Sequence, residues 1–364
     1  GKYLATASQD TTAEVWSMTT GWEVAYLPHE REVRAIAFSP DGKYLATTTV
    51  QKTRVWDAAT NQEITCLEGS GVGQAVTFSR GGRYLVTTDP GGGVVVWEVG
   101  KGWPKIMSMP HPHVVLAATF SPDEKLLATA GADHMLRLWE VATGDEMARI
   151  PHERDVTDVA FSPDGSYLAT ATGNIYTNFR SPSGLLPAEN HAARLWKVTD
   201  GGGYEVGHML HKNNVQAVAF SPDGKFLATA SWDCSTGILE VATGNEIVRI
   251  PHEQSVEDVV FSPDGKYLAT VSRDVQLWEI TRWREIARIE GGMRAIEGSI
   301  RAVAFSPDDR YLAAAQESAC YVWLWRPEDL IVEACHRLTR DLTLEEWQRY
   351  LDNEPYRKTC SGLL

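Results

Sequence analysis

The segment Phe-Ser-Pro-Asp-Gly, or a close variant of it, recurs with its Phe at 38, 78, 120, 161, 220, 261 and 305, at gaps of 40, 42, 41, 59, 41 and 44 residues. A chain of such units cannot bury a core inside each one. It must stack neighbours face to face, and a period near 41 residues suits one four-stranded sheet per unit. A short β-prone run follows each motif, as in YLATTT at Tyr44, YLATAT at Tyr167 and FLATAS at Phe226. An eighth copy of this run, KYLATAS, opens the chain at Lys2 without the motif before it.

A second run in each unit ends in tryptophan, at Trp16, Trp56, Trp97, Trp139, Trp196, Trp278 and Trp325, with Leu239 in that place in the sixth unit. Turns such as Ala142-Thr143-Gly144 then lead to a fourth, amphipathic run such as EMARIP. Within the motif, Pro presets the first turn position and Gly accepts positive φ, so the first two strands join as a tight hairpin. The expected unit is a four-stranded antiparallel meander. Second and third strands occur eight times but first and fourth strands seven times, which predicts a chain truncated inside its first unit.

With 34 basic against 48 acidic residues the net charge is -14, which disfavours nucleic acid as a partner because phosphate binding draws on a basic stripe. The five cysteines, Cys66, Cys234, Cys320, Cys335 and Cys360, are too dispersed for a metal knuckle, and their odd count argues against a secreted disulfide framework. No run of 18 apolar residues and no signal-like N-terminus occurs, so the expectation is a cytoplasmic protein with no membrane partner. His111-Pro112-His113 lacks a third metal ligand, and Gly91-Gly92-Gly93 lies in a turn between strands and not at a strand-to-helix phosphate cradle. Neither a metal nor any other cofactor is expected, and no nucleophile elbow or kinase signature is present.

These units resemble WD repeats over residues 1 to about 328, although in the tryptophan column Trp56-Asp57 alone keeps the namesake dipeptide. The resemblance implies an all-β WD-repeat β-propeller of eight blades, spanning 1–328, with a helical C-terminal tail over 329–364 packed on it. It also implies a hydrogen-bonded set of His, Ser or Thr, Asp and Trp within a blade. Histidines stand nine residues before the motif Phe at His29, His111, His152, His211 and His252, since 38 minus 29 and 261 minus 252 both give nine. On this pattern the set is complete in the seventh unit alone, as His252, Ser272, Asp274 and Trp278, with Gly131 replacing Ser in the fourth. A set recurring in fragments from unit to unit reads as a structural staple in preference to a Ser-His-Asp catalytic centre.

Comparing the units with one another separates scaffold from site. Five residues before the motif Phe stand Val33, Gly73, Val115, Val156, Val215, Val256 and Ile300, nearly all β-branched. The next position holds Arg34, Gln74, Leu116, Thr157, Gln216, Glu257 and Arg301, which share no chemistry. These should ring one mouth of the central channel, either as a partner surface or as solvated positions. The fifth unit carries about 18 extra residues within 173–190, where Tyr176, Phe179 and Arg180 are good contact types; the segment is a binding loop or a tolerated insertion.

The tail, from PEDLIVEACHRL through LTLEEWQRYLDNEP, predicts two short helices that cap the ring or dock a partner. It resembles the endings of bacterial WD-repeat proteins whose propeller follows a STAND-type NTPase, a Ser/Thr kinase or a caspase-like protease domain. The functional expectation is therefore a non-enzymatic interaction or sensing module that binds a protein or peptide on the ring face and regulates a linked upstream effector. The alternatives are a propeller enzyme with a channel-mouth active site and a constitutive assembly scaffold.

Overall fold

The computed structural model describes residues 3–7, 12–17, 23–31, 33–49, 52–67, 75–88, 92–100, 102–174, 191–199, 202–289, 302–306, 309–315 and 320–326. Within them the chain forms eight antiparallel sheets in sequence order, each a meander of neighbouring strands. Sheets 2 to 7 have four strands. Sheet 1 comprises Tyr3–Ala7, Thr12–Ser17 and Glu23–Pro28, and sheet 8 comprises Ala302–Phe305, Tyr311–Ala315 and Cys320–Leu324. The strand count expected from the repeats is therefore found, and the chain is an all-β propeller. The predicted tail helices over 329–364 lie outside the described residues.

The hairpin between first and second strands forms for the reason the motif suggests. In sheet 2, Gly42 N–H bonds Ser39 O at 2.8 Å with Gly42 at φ 70°, while Ser39 Oγ donates to Asp41 Oδ1 at 2.6 Å and accepts from Tyr44 N–H at 2.8 Å. The same turn recurs at Ser162 and Ser221. In sheet 4 a glutamate, Glu124, takes the positive φ, at 61°, and its carboxylate accepts from Gly81 N–H of the preceding sheet at 2.6 Å.

The core is divided into layers. Seven clusters of buried apolar side chains lie one between each consecutive pair of sheets. Leu136 and Leu138 of sheet 4, for example, meet Val156, Leu168 and Trp196 of sheet 5. In six layers the third-strand tryptophan of the later sheet fills the space; between sheets 5 and 6 Leu239 stands there, and fully buried Met209 packs in the same layer. Such division explains why the second and third strands read as continuous apolar runs, since both faces are covered. First strands of successive sheets, from sheet 2 to sheet 8, contact one another, which puts them innermost and the fourth strands at the rim.

Candidate functional site

The connections from fourth to first strand and from second to third strand emerge on one face, where the variable positions also lie. Arg34, Leu116, Thr157 and Gln216 each sit at a register shift in the first strand, between Val33 and Ala35, Val115 and Ala117, Val156 and Asp158, and Val215 and Ala217. The position is thus a β-bulge: the residue has no cross-strand partner, so its side chain is re-aimed away from the ladder. Its chemistry can vary because the sheet does not use it. Arg34 is exposed and the other three are half-buried.

Thr157, and Glu257 at the same position of sheet 7, already have tasks. Thr157 Oγ1 donates to Val215 O of sheet 6 at 2.6 Å, which stitches adjacent innermost strands. Glu257 Oε2 accepts from Trp232 Nε1 at 3.1 Å. Trp232, half-buried in the second-to-third strand turn of sheet 6, is a mouth residue that repeat comparison missed; its only signal was an aromatic where other units carry small or polar residues. Gln74 and Arg301 of the same position, and Tyr176, Phe179 and Arg180 of the long insertion, lie outside the described residues. The base of that insertion is anchored, with Asn174 N–H on Asn214 Oδ1 at 3.0 Å and Asn214 Nδ2 on Asn174 O at 3.1 Å.

The staples assemble on a residue other than the expected serine. In sheets 2, 4 and 5 one threonine hydroxyl joins histidine to tryptophan. Thr129 Oγ1 accepts from Trp139 Nε1 at 2.9 Å and donates to His111 Nε2 at 2.8 Å, and His111 Nδ1–H reaches Met109 O at 3.1 Å. His29, Thr47 and Trp56 repeat this arrangement, as do His152, Thr170 and Trp196. These histidines are neutral: burial lowers the pKa of His29 and His111, and brings His152 down to about 4. A buried threonine with its hydroxyl committed on both sides has no access to a substrate.

In sheet 7, where the expected quartet is His252, Ser272, Asp274 and Trp278, the His252 and Trp278 rings meet edge to face at 5.7 Å, but Ser272 does not take the tryptophan N–H. Trp278 Nε1 bonds Thr270 at 3.0 Å, while His252 turns to Gln276 Oε1 at 2.6 Å and to Thr236 of sheet 6 at 3.0 Å. The bridging position lies nine residues after the motif Phe, as 129 minus 120 and 270 minus 261 show, two residues before Ser272. Sheet 6 has the His, Thr and Asp instead, with His211 Nε2 on Thr229 and Nδ1 on Asp233 Oδ2, both at 3.0 Å. Burial opposes ionisation of Asp233, but the bonds from His211 and Ser235 outweigh it and hold its pKa well below the usual range.

Two carboxylates escaped sequence reasoning altogether. Three residues before the motif Phe stand Ala35, Ala75, Ala117, Ala217 and Ala302, but Asp158 and Asp258 in sheets 5 and 7. That substitution within an alanine column was a readable signal. Both sit deep on the innermost strands, half-covered, and burial raises them to about 7 and about 6.

Among the described residues no group of three or more His, Cys, Asp or Glu side chains gathers as metal ligands would, and no helix is long and apolar enough to cross a membrane. The family described as WD domain, G-beta repeat, matches residues 22–57, 104–140, 145–174, 205–238, 245–274 and 291–326, more than half of the chain. Ribosome assembly protein 4 of Chaetomium thermophilum is 43% identical over 54 residues, and the Lissencephaly-1 homolog of Dictyostelium discoideum is 48% identical over 44. Those stretches cover 15% and 12% of this chain and 10% of each relative, so the likeness is that of one or two repeats.

Proposed function

The chain belongs to the WD domain, G-beta repeat, family, and from that premise we propose that it binds a protein or peptide across the channel mouth and acts as a sensing or docking module without catalysis of its own. The observation that carries this reading is the bulge. In sheets 2, 4, 5 and 6 it presents one side chain each on a single face, without a cross-strand partner, at a position whose chemistry differs from blade to blade. Arg34, Gln216 and Glu257 supply charge and hydrogen-bonding capacity there, and Trp232 beside Glu257 supplies the aromatic surface typical of binding hot spots. Gln74, Arg301 and the insertion residues Tyr176, Phe179 and Arg180 extend the same proposed surface.

Thr157 is the weakest member, because its hydroxyl hydrogen is already given to Val215 O. The matched relatives support an assembly role only as far as a name goes, one being called a ribosome assembly protein. A linked upstream effector of NTPase, kinase or protease type, in a bacterial signalling or defence protein, is part of the proposal and rests on the likeness of the tail alone. A channel-mouth enzyme is disfavoured: the Thr-His pairs that could imitate a nucleophile and base are sealed inside the blades.

The test is recovery of partners on the immobilised chain with Arg34, Gln216, Trp232 and Glu257 replaced together by alanine. We expect at least a tenfold drop in specific recovery with folding unchanged, the order of loss when two or more hot-spot residues are removed. Undiminished recovery would exclude this mouth.

A further inference from the structure

The two aspartates of the alanine column are joined to the backbone in the same way. Asp158 Oδ1 accepts from Val159 N–H of its own strand at 2.8 Å, and Oδ2 accepts from Val218 N–H of sheet 6 at 3.0 Å. Asp258 repeats this with Val259 N–H at 2.8 Å and Val303 N–H of sheet 8 at 2.9 Å. Each carboxylate therefore ties the innermost strand of one blade to that of the next, one oxygen to each. In the other five aligned units an alanine leaves this link unmade.

We propose that Asp158 and Asp258 are proton-sensitive clamps that fasten blade 5 to blade 6 and blade 7 to blade 8 at the channel wall. A carboxylate accepts both N–H groups. A carboxylic acid keeps one good acceptor, and its hydroxyl oxygen, now a donor, faces an N–H that cannot receive it. Taking up a proton from solvent thus opens one of the two bonds. The clamp adjoins the mouth, since the bulge residue Thr157 precedes Asp158 and Glu257 precedes Asp258.

The surroundings favour titration near neutrality. Burial is the main cause of the raised pKa at both sites; for Asp158 the negative charge of Asp258 adds to it, and for Asp258 that of Glu257. The first strands of sheets 4, 6 and 8 and the second strands of sheets 4 to 7 carry no charged side chain among the described residues. Arg137, on the third strand of sheet 4, is already paired with Asp133 at 2.6 Å. On the clamp strands themselves the remaining charged group besides Glu257 is Asp155, which faces His134 at 3.1 Å.

The sign follows from linkage. With folded pKa values of about 7 and about 6 against an ordinary 3.8, the folded chain binds the extra protons. The contribution of these groups to global stability is full below about pH 4 and is lost as pH rises through the folded values. Lowering the pH from 8 to 5 should therefore raise their contribution to global stability while loosening the two seams, a pair of opposite effects that ordinary acid destabilisation does not produce.

All four amides that touch the clamps belong to valines, so the full chain labelled with 15N-valine reports them directly between pH 5 and 8. The expected result is titration of Val159 and Val218 with one midpoint near 7 and of Val259 and Val303 with another near 6. Hydrogen exchange at Val218 and Val303, corrected for its intrinsic pH dependence, should be roughly fivefold to tenfold faster at the acid end, the worth of one hydrogen bond. Asp158→Ala should abolish the first titration alone and Asp258→Ala the second alone. Alanine is the residue of the five other units, so both variants should fold; Asp158→Asn serves as a second, isosteric check that must also lose the titration. Four valine amides that do not titrate in this range, or that titrate unchanged in the alanine variants, would overturn the proposal.

Discussion

Replacing Thr129 by valine is expected to lower folding stability by about 2 to 6 kcal/mol, since two buried polar groups lose their partner and each costs about 1 to 3 kcal/mol. Valine keeps the shape, so no cavity arises. What disappears is the hydroxyl that accepts from Trp139 Nε1 and donates to His111 Nε2, in a site with no exposure to water. The change should appear as a fall in the urea midpoint with little change in slope. Thr143→Val is the control, because its hydroxyl meets Glu140 at the surface and a surface substitution moves stability by no more than about 0.5 kcal/mol. A loss at Thr129 no larger than that of the control would refute the staple.

Gly92→Ala should be nearly as damaging, for a reason that has nothing to do with hydrogen-bonding side chains. Gly92 has φ 85°, and a β-carbon there would lie 2.2 Å from His111 O and 2.6 Å from His113 O. Both neighbours are backbone, and the strand of contact is fixed by the His111 N–H bond to Gly92 O at 2.7 Å. Left-handed strain of about 1 to 2 kcal/mol adds to overpacking of about 1 to 3, so a loss of about 2 to 5 kcal/mol is expected. Gly42→Ala separates the two contributions, since φ is 70° there but nothing lies within 4 Å of the added carbon. Equal thermal midpoints for the two variants would show that the close approach does not matter.

These two sites mark how far the repeats could be read. The spacing of the motif Phe, the eightfold second and third strands and the tryptophan column predicted the sheets, their order and the layers between them, because those features depend on period and burial alone. Of the glycine run read as a turn, Gly92 lies in the connection with φ 85°, Gly93 already begins the third strand of sheet 3, and Gly91 lies outside the described residues. Hydrogen-bond partners were not legible to that degree. The offset of nine identified the histidines, but Ser272 and Thr270 are equally good acceptors on paper, and only the pairing of strands decides that Trp278 meets Thr270. His252 is drawn off by Gln276, a residue whose counterparts are Arg54, Arg137 and Arg194 in sheets 2, 4 and 5.

The mouth shows the same division. Variation among units picked out Arg34, Leu116, Thr157, Gln216 and Glu257 as one class, and the structure gives four of them a common bulge. That Thr157 and Glu257 are partly engaged depends on Val215 and Trp232, which belong to sheet 6 in both cases. Contacts between units leave no trace in a comparison of each unit with the next. Asp158 and Asp258 were visible as exceptions in an alanine column, but their role needed the amides of Val218 and Val303 from the following sheets.

We propose a division of labour in which repeated positions carry the fold and the bulge positions carry binding. Photo-crosslinking tests it most directly, with p-benzoylphenylalanine placed in turn at Gln216 on the mouth and at exposed Ile106 on the outermost strand of sheet 3. Discrete protein adducts are expected from position 216 and none from position 106. Adducts from the rim position alone would contradict it.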